Sequence, residues 1–143
     1  MKGQVSTELL LIIGFILVLF IPLLLTAYFK TGEMNDKLTV LQAQVTASRI
    51  ANLANSVGNM GVGSSIILDI YLPETVSNVE INSVGDGGEV VITVNTQNGD
   101  VDVVGVSSFP LVKYFEFGGY GNYRIELVAS DEGVTVNNVD EIK

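Results

Sequence analysis

The chain has 143 residues, a formal net charge of −9, no cysteine and no histidine. Seven scattered basic residues argue against a nucleic-acid binder, which needs clustered cations to neutralise phosphates, while the missing Cys and His remove disulfides, thiolate nucleophiles, the commonest metal ligands and the commonest general base. The length suits one domain, and a mean hydropathy of +0.45 with only 16% charged residues points to one concentrated apolar segment.

That segment is Leu9 to Phe29, which holds no charged residue. At about 1.5 Å per helical residue it spans roughly 30 Å, the thickness of a bilayer hydrocarbon core. A secretory signal would be shorter and would end at a small-residue cleavage site, of which Leu24-Leu25-Thr26-Ala27-Tyr28 is a poor version. The run therefore stays in the mature chain. Glu8 stands one residue before it, and a carboxylate at the edge of hydrocarbon is costly unless it is paired or reaches water. The first turn of a helix also suits an acid, through the macrodipole. Inside the run, Pro22 removes a main-chain donor and crowds the carbonyl of Val18, which predicts a kink or a short unwound stretch around Ile21 to Leu23. Gly14 offers a point of close approach for another helix.

The residues ahead of the run are Lys2-Gly3-Gln4-Val5-Ser6-Thr7-Glu8. They read as a short basic leader ending at Gly3, then a mature chain beginning at Gln4. This start resembles the archaeal type IV pilins with a class III signal, Q-x-S-x-E-x-x-x-L: Gln4, Ser6 and Glu8 match, and Ile12 replaces the final Leu. The resemblance covers only the start of the chain. It implies that a prepilin peptidase recognises Lys2, Gly3, Gln4 and Ser6 and cleaves between Gly3 and Gln4. It also implies that Glu8 pairs with the freed Gln4 amine, within one subunit or between neighbours. A pilus assembly ATPase and a membrane platform protein would then move subunits from the membrane into a helical homopolymer, whose usual role is adhesion.

After Phe29 the composition turns polar through Lys30-Thr31-Gly32-Glu33-Met34-Asn35-Asp36-Lys37, either a break or a surface turn of one long helix. From Lys37 to Val57 the period is helical. Val40, Ala43, Ala47, Ile50, Ala54 and Val57 form a small-residue apolar stripe opposed by Thr39, Gln42, Thr46, Arg49 and Asn52, and Gly58 marks the end.

Past Gly63 the period falls to two. Short runs recur at Ile66 to Leu72, Val79 to Val84, Val90 to Thr96, Val101 to Val106, Leu111 to Phe117, Tyr123 to Ala129 and Val134 to Val139, separated by Gly-, Asn- and Asp-rich turns. Asn98-Gly99 is the strongest hairpin signal. Tyr123, Ile125 and Leu127 alternate with Asn122, Arg124 and Glu126, as a strand with one buried face requires.

Candidate chemistry is sparse. Asn98, Asp100 and Asp102 resemble the start of a calcium loop, but Val103 and Phe109 stand where an EF-hand needs Gly and Glu, so solvated turn acids are the better reading. Gly61-Val62-Gly63-Ser64-Ser65 and Gly118-Gly119-Tyr120-Gly121 lack the Lys and the strand-loop-helix context of a phosphate loop. No Ser or Thr has an evident base partner, so no catalytic residue, metal or cofactor is assigned.

The expected fold is α+β: a leader at 1–3, an N-terminal helix at 4–58 with its membrane or filament core at 9–29, and an antiparallel β-rich head at 64–143, a small sandwich or barrel-like sheet. The expected function is structural, as a pilin-like filament subunit inserted in the membrane as a precursor and then carried outside the cell. The rival expectation is an uncleaved, single-pass anchored exterior protein whose head binds a ligand.

Overall fold

The computed structural model describes residues 2–142, and the side chains of residues 6–139. One helix, α1 (Lys2–Met60), precedes seven strands, and the chain divides into two compact units, Met1–Asn35 and Asp36–Lys143.

The first unit is helical throughout its described residues. Helical backbone continues through Ile21-Pro22-Leu23, so the unwound stretch expected there is absent. Pro22 cannot donate to the carbonyl one turn back, but its own carbonyl accepts from the Thr26 hydroxyl at 2.7 Å, and the Ala27 carbonyl likewise accepts from Thr31 at 3.0 Å. The polar stretch around Gly32 is a surface turn of this helix rather than a break, with Lys30 and Glu33 paired across one turn at 3.1 Å.

The second unit holds α1 from Asp36 onward with β1 (Ser65–Leu72), β2 (Val76–Val84), β3 (Gly87–Thr96), β4 (Gly99–Ser107), β5 (Leu111–Lys113), β6 (Gly121–Ser130) and β7 (Gly133–Ile142). They form a four-stranded sheet in the order β1-β6-β7-β5 and a three-stranded sheet in the order β2-β3-β4. Three hairpins turn on the predicted punctuation. Val84 pairs with Gly87, Thr96 with Gly99 and Ser130 with Gly133, so each turn is two residues long. At Asn98-Gly99 the turn itself is Gln97-Asn98, and Gly99 opens β4 with φ +113°, in the left-handed half of backbone space where a side chain is strained.

The strand pairing is antiparallel except that β5 runs parallel to β7 over Leu111 to Lys113. β5 stops well short of the expected Phe117. Beyond Lys113 the chain turns Phe115 and Phe117 together onto the core, with Phe117 edge-on to Tyr123 at 5.2 Å, and packing of these rings replaces further ladder bonds.

A single hydrophobic core joins both sheets and α1. From α1 it takes Ala43, Ala47, Ile50, Ala54 and Val57, the stripe read from the sequence, while Val40 is partly buried against it. Leu72, Ile92, Leu111, Ile125 and Leu127 are fully buried from the strands, each contributing about 1.5–3 kcal/mol relative to exposure. The sheets meet where Ser83 of β2 donates to the carbonyl of Leu111 on β5 at 2.8 Å. Along the edge strand β4, α1 closes the gap instead. A side chain at Gly105 would run into the Ala47 carbonyl, the Gln44 side-chain amide donates to the Val104 carbonyl at 3.2 Å, and the Asn55 side-chain oxygen accepts from the Ser107 hydroxyl at 3.0 Å and the Ser108 main-chain N–H at 2.7 Å. Small residues on that helical face are what allow the backbones so close. The Asp36 carboxylate also accepts from the Gln97 main-chain N–H at 3.0 Å. Phe109 covers Gly58, which sits inside the helix, two residues before its end at Met60.

Candidate functional site: an uncovered apolar segment behind a carboxylate

The first unit places the motif residues along one helix. Lys2, Gly3 and Gln4 fall in the first turn of α1, and their side chains lie outside the described ones. Ser6 and Glu8 are exposed. With both residues in helical backbone, Gln4 and Glu8 stand one turn apart on the same face, the spacing at which an amine freed at Gln4 would meet the carboxylate. No element of this unit buries Glu8, so its charge stays in contact with solvent or with whatever the helix packs against.

Behind Glu8, every side chain from Leu9 to Phe29 is exposed. The helix is long and apolar enough to cross a membrane, and none of its most apolar window is buried. In water such a surface would be a heavy liability, at about 25 cal/mol for each Å² left uncovered. Lipid or neighbouring helices would remove it. Gly14 has open space where a Cβ would stand, so a second helix can approach there without displacing anything. Pro22 with Leu19, Leu23 and Thr26 borders a shallow groove on the same helix surface.

The second unit carries a feature that reading the sequence missed. Leu38, Leu41 and Val45 recur at helical spacing on α1, yet they face outward and, with Tyr71 of β1, line an open groove. The buried stripe and this one interleave, so the first masked the second. The signal was a set of three large aliphatics on a helical face otherwise composed of Thr, Gln, Arg and Asn. At the rim, Asp69 on β1 accepts from Arg124 on β6, its cross-strand partner, at 2.8 Å. The Arg124 hydrogen bond holds the Asp69 carboxyl below its ordinary value of 3.8; partial burial opposes this, and the charges of Arg124 and Arg49 reinforce it. Asp102, one of the turn acids, is engaged across the strands by the Thr93 hydroxyl at 2.7 Å. Glycines 61, 63, 119 and 121 all have positive φ, as loop-forming glycines do.

Compared with protein-family models, with curated proteins and with solved structures, the chain matches none of them.

Proposed function

We propose that this chain is a structural subunit of an archaeal type IV pilus-like surface filament, with adhesion as its role. The observation that carries this reading is the wholly uncovered, charge-free segment Leu9 to Phe29 placed one residue behind Glu8. A segment of this kind can rest in a bilayer as a monomer and then exchange lipid for sister helices, which leaves hydrophobic burial nearly unchanged while adding packing contacts. Glu8 gives the exchange its register, since the costliest group at the hydrocarbon edge is matched by an amine at Gln4 of the same or a neighbouring copy. Cleavage between Gly3 and Gln4 by a membrane peptidase creates that amine. The chain acts as a building element rather than as an enzyme, with the assembly ATPase and platform protein as its transient partners and further copies of itself as its permanent ones.

Mass spectrometry of the chain isolated from its native cells tests the reading directly. The expected N-terminus is Gln4. A chain beginning at Met1 or Lys2 in surface material would overturn it and leave an anchored exterior protein.

A further inference from the structure

We propose that Asn98, in the two-residue turn between β3 and β4, is a site of spontaneous succinimide formation and deamidation, with water as the only co-reactant, and that the product unlatches this hairpin from α1. Among the asparagines only Asn98 is followed by glycine. Asn98 is exposed, its main-chain N–H donates to the Thr96 hydroxyl at 3.3 Å, and its side-chain amide makes no hydrogen bond among the described residues. The carboxamide is therefore free to swing toward the backbone. Nothing lies within 4 Å of where a Cβ of Gly99 would stand, so no side chain screens the Gly99 nitrogen from it. Thr96 with Gly99 is the terminal pair of the β3-β4 ladder, and terminal pairs open with the least loss of structure. Freeing the Gly99 N–H thus needs fraying of one pair rather than unfolding of the sheet.

In the reaction the Gly99 main-chain nitrogen gives its proton to hydroxide and attacks Cγ of Asn98. A bond from this nitrogen to Cγ forms, the Cγ–Nδ2 bond breaks, and the side-chain nitrogen leaves as ammonia after taking a proton from water. Water then opens the five-membered imide at one of its two carbonyl carbons. Cleavage between nitrogen and Cγ restores the ordinary main chain with aspartate at 98. Cleavage between nitrogen and the main-chain carbonyl carbon leaves isoaspartate, whose main chain runs through Cβ and Cγ. No electrons are exchanged. Either product adds a negative charge to a chain already at −9, next to the Gln97 N–H that the Asp36 carboxylate holds at 3.0 Å and two residues before Asp100. The isoaspartyl form also lengthens by one main-chain atom a turn that closes over two residues. Repulsion between like charges and the altered turn both draw Gln97 away from Asp36, releasing one of the bonds by which α1 grips the three-stranded sheet. This happens within the single chain and is independent of the filament reading.

The test holds the full chain, folded in micelles, in mildly alkaline buffer made with heavy-oxygen water, then digests it with pepsin at low pH so that no new imide forms during handling. Mass spectrometry locates each conversion, and electron-based fragmentation separates isoaspartate from aspartate. The expected result is loss of Asn98 ahead of every other asparagine, with heavy oxygen in the product and isoaspartate in excess over aspartate. In the same samples the Gln97 amide should exchange its hydrogen faster as conversion proceeds. Asn98→Gln, which would have to close a less favoured six-membered ring, should show neither change. Asn98 that persists in the folded chain overturns the site, whether or not a urea-unfolded sample loses it. Aspartate without isoaspartate overturns the succinimide route, and full conversion with unchanged exchange at Gln97 overturns the release of α1.

Discussion

Glu8 is the one residue whose position works against its surroundings, being a carboxylate at the threshold of an apolar segment. Replacing it by Val removes a group that opposes membrane entry, so Glu8→Val should insert at least as well as the parent and yet fail to enter filaments, as measured by comparing membrane and sheared-filament fractions. Normal filaments from that variant would overturn the registering role proposed for Glu8. Gly105 is a different kind of necessity, because a Cβ there meets the backbone of Ala47, which has no flexible end to swing aside. Gly105→Ala should therefore cost about 1–3 kcal/mol of stability in the second unit, and an unchanged denaturation midpoint would show that α1 does not press on β4 so closely. Asp69 adds a pH dependence. Its carboxyl is held below 3.8 in the folded chain, chiefly by the Arg124 hydrogen bond, so the stabilisation is complete above that value and is lost as pH falls through the lower folded one. The group is well exposed, which keeps the effect small. Asp69→Asn should lower stability slightly at neutral pH, where the charged carboxylate is held by Arg124, and should flatten the acid limb below 3.8, with the two chains converging as pH falls through the lower folded value.

At the level of elements, α1 from Asp36 to Met60 is both a helix and a wall of the core. Ile50 is the largest fully buried side chain it contributes, and Ile50→Ala should cost about 2–5 kcal/mol, read from a denaturation curve of the full chain in micelles. Most of these elements were readable in the sequence. Six of the seven strands stand where alternation and turn residues put them and the seventh, β5, begins there, while the stripe from Ala43 to Val57 is the buried one, because periodicity reports directly on which face meets a core. Pro22 shows the limit on one side: local rules forbid its hydrogen bond, yet a single missing bond does not unwind a helix whose neighbouring turns are intact. β5 shows it on the other. Leu111 to Phe117 alternates well enough to be one strand, but parallel pairing with β7 and the draw of the core on Phe115 and Phe117 are long-range effects that no local pattern records. The same holds for the groove beside β1, which exists only once Tyr71 and Leu41 are brought together by the fold.

For the molecule as a whole, the division into two units places their border at Asn35 and Asp36, within the polar stretch Lys30 to Lys37. Most of that stretch is exposed and lies outside the apolar segment and the core stripe alike, so its backbone opens with the least loss of packing. Brief trypsin treatment in micelles should therefore cut first at Lys30 or Lys37, with fragments identified by mass. First cuts at Lys113 or Arg124, inside the four-stranded sheet, would contradict the division. The sheet orders carry one more consequence, in time rather than in space. β2, β3 and β4 are joined by tight hairpins and can pair as soon as each is made, whereas β1 has to wait for β6, with four strands synthesised in between. Pairings so distant along the chain form slowly. The last edge to settle is then the one that borders the outward-facing groove, so that groove takes its final shape only when the folding of the second unit is complete.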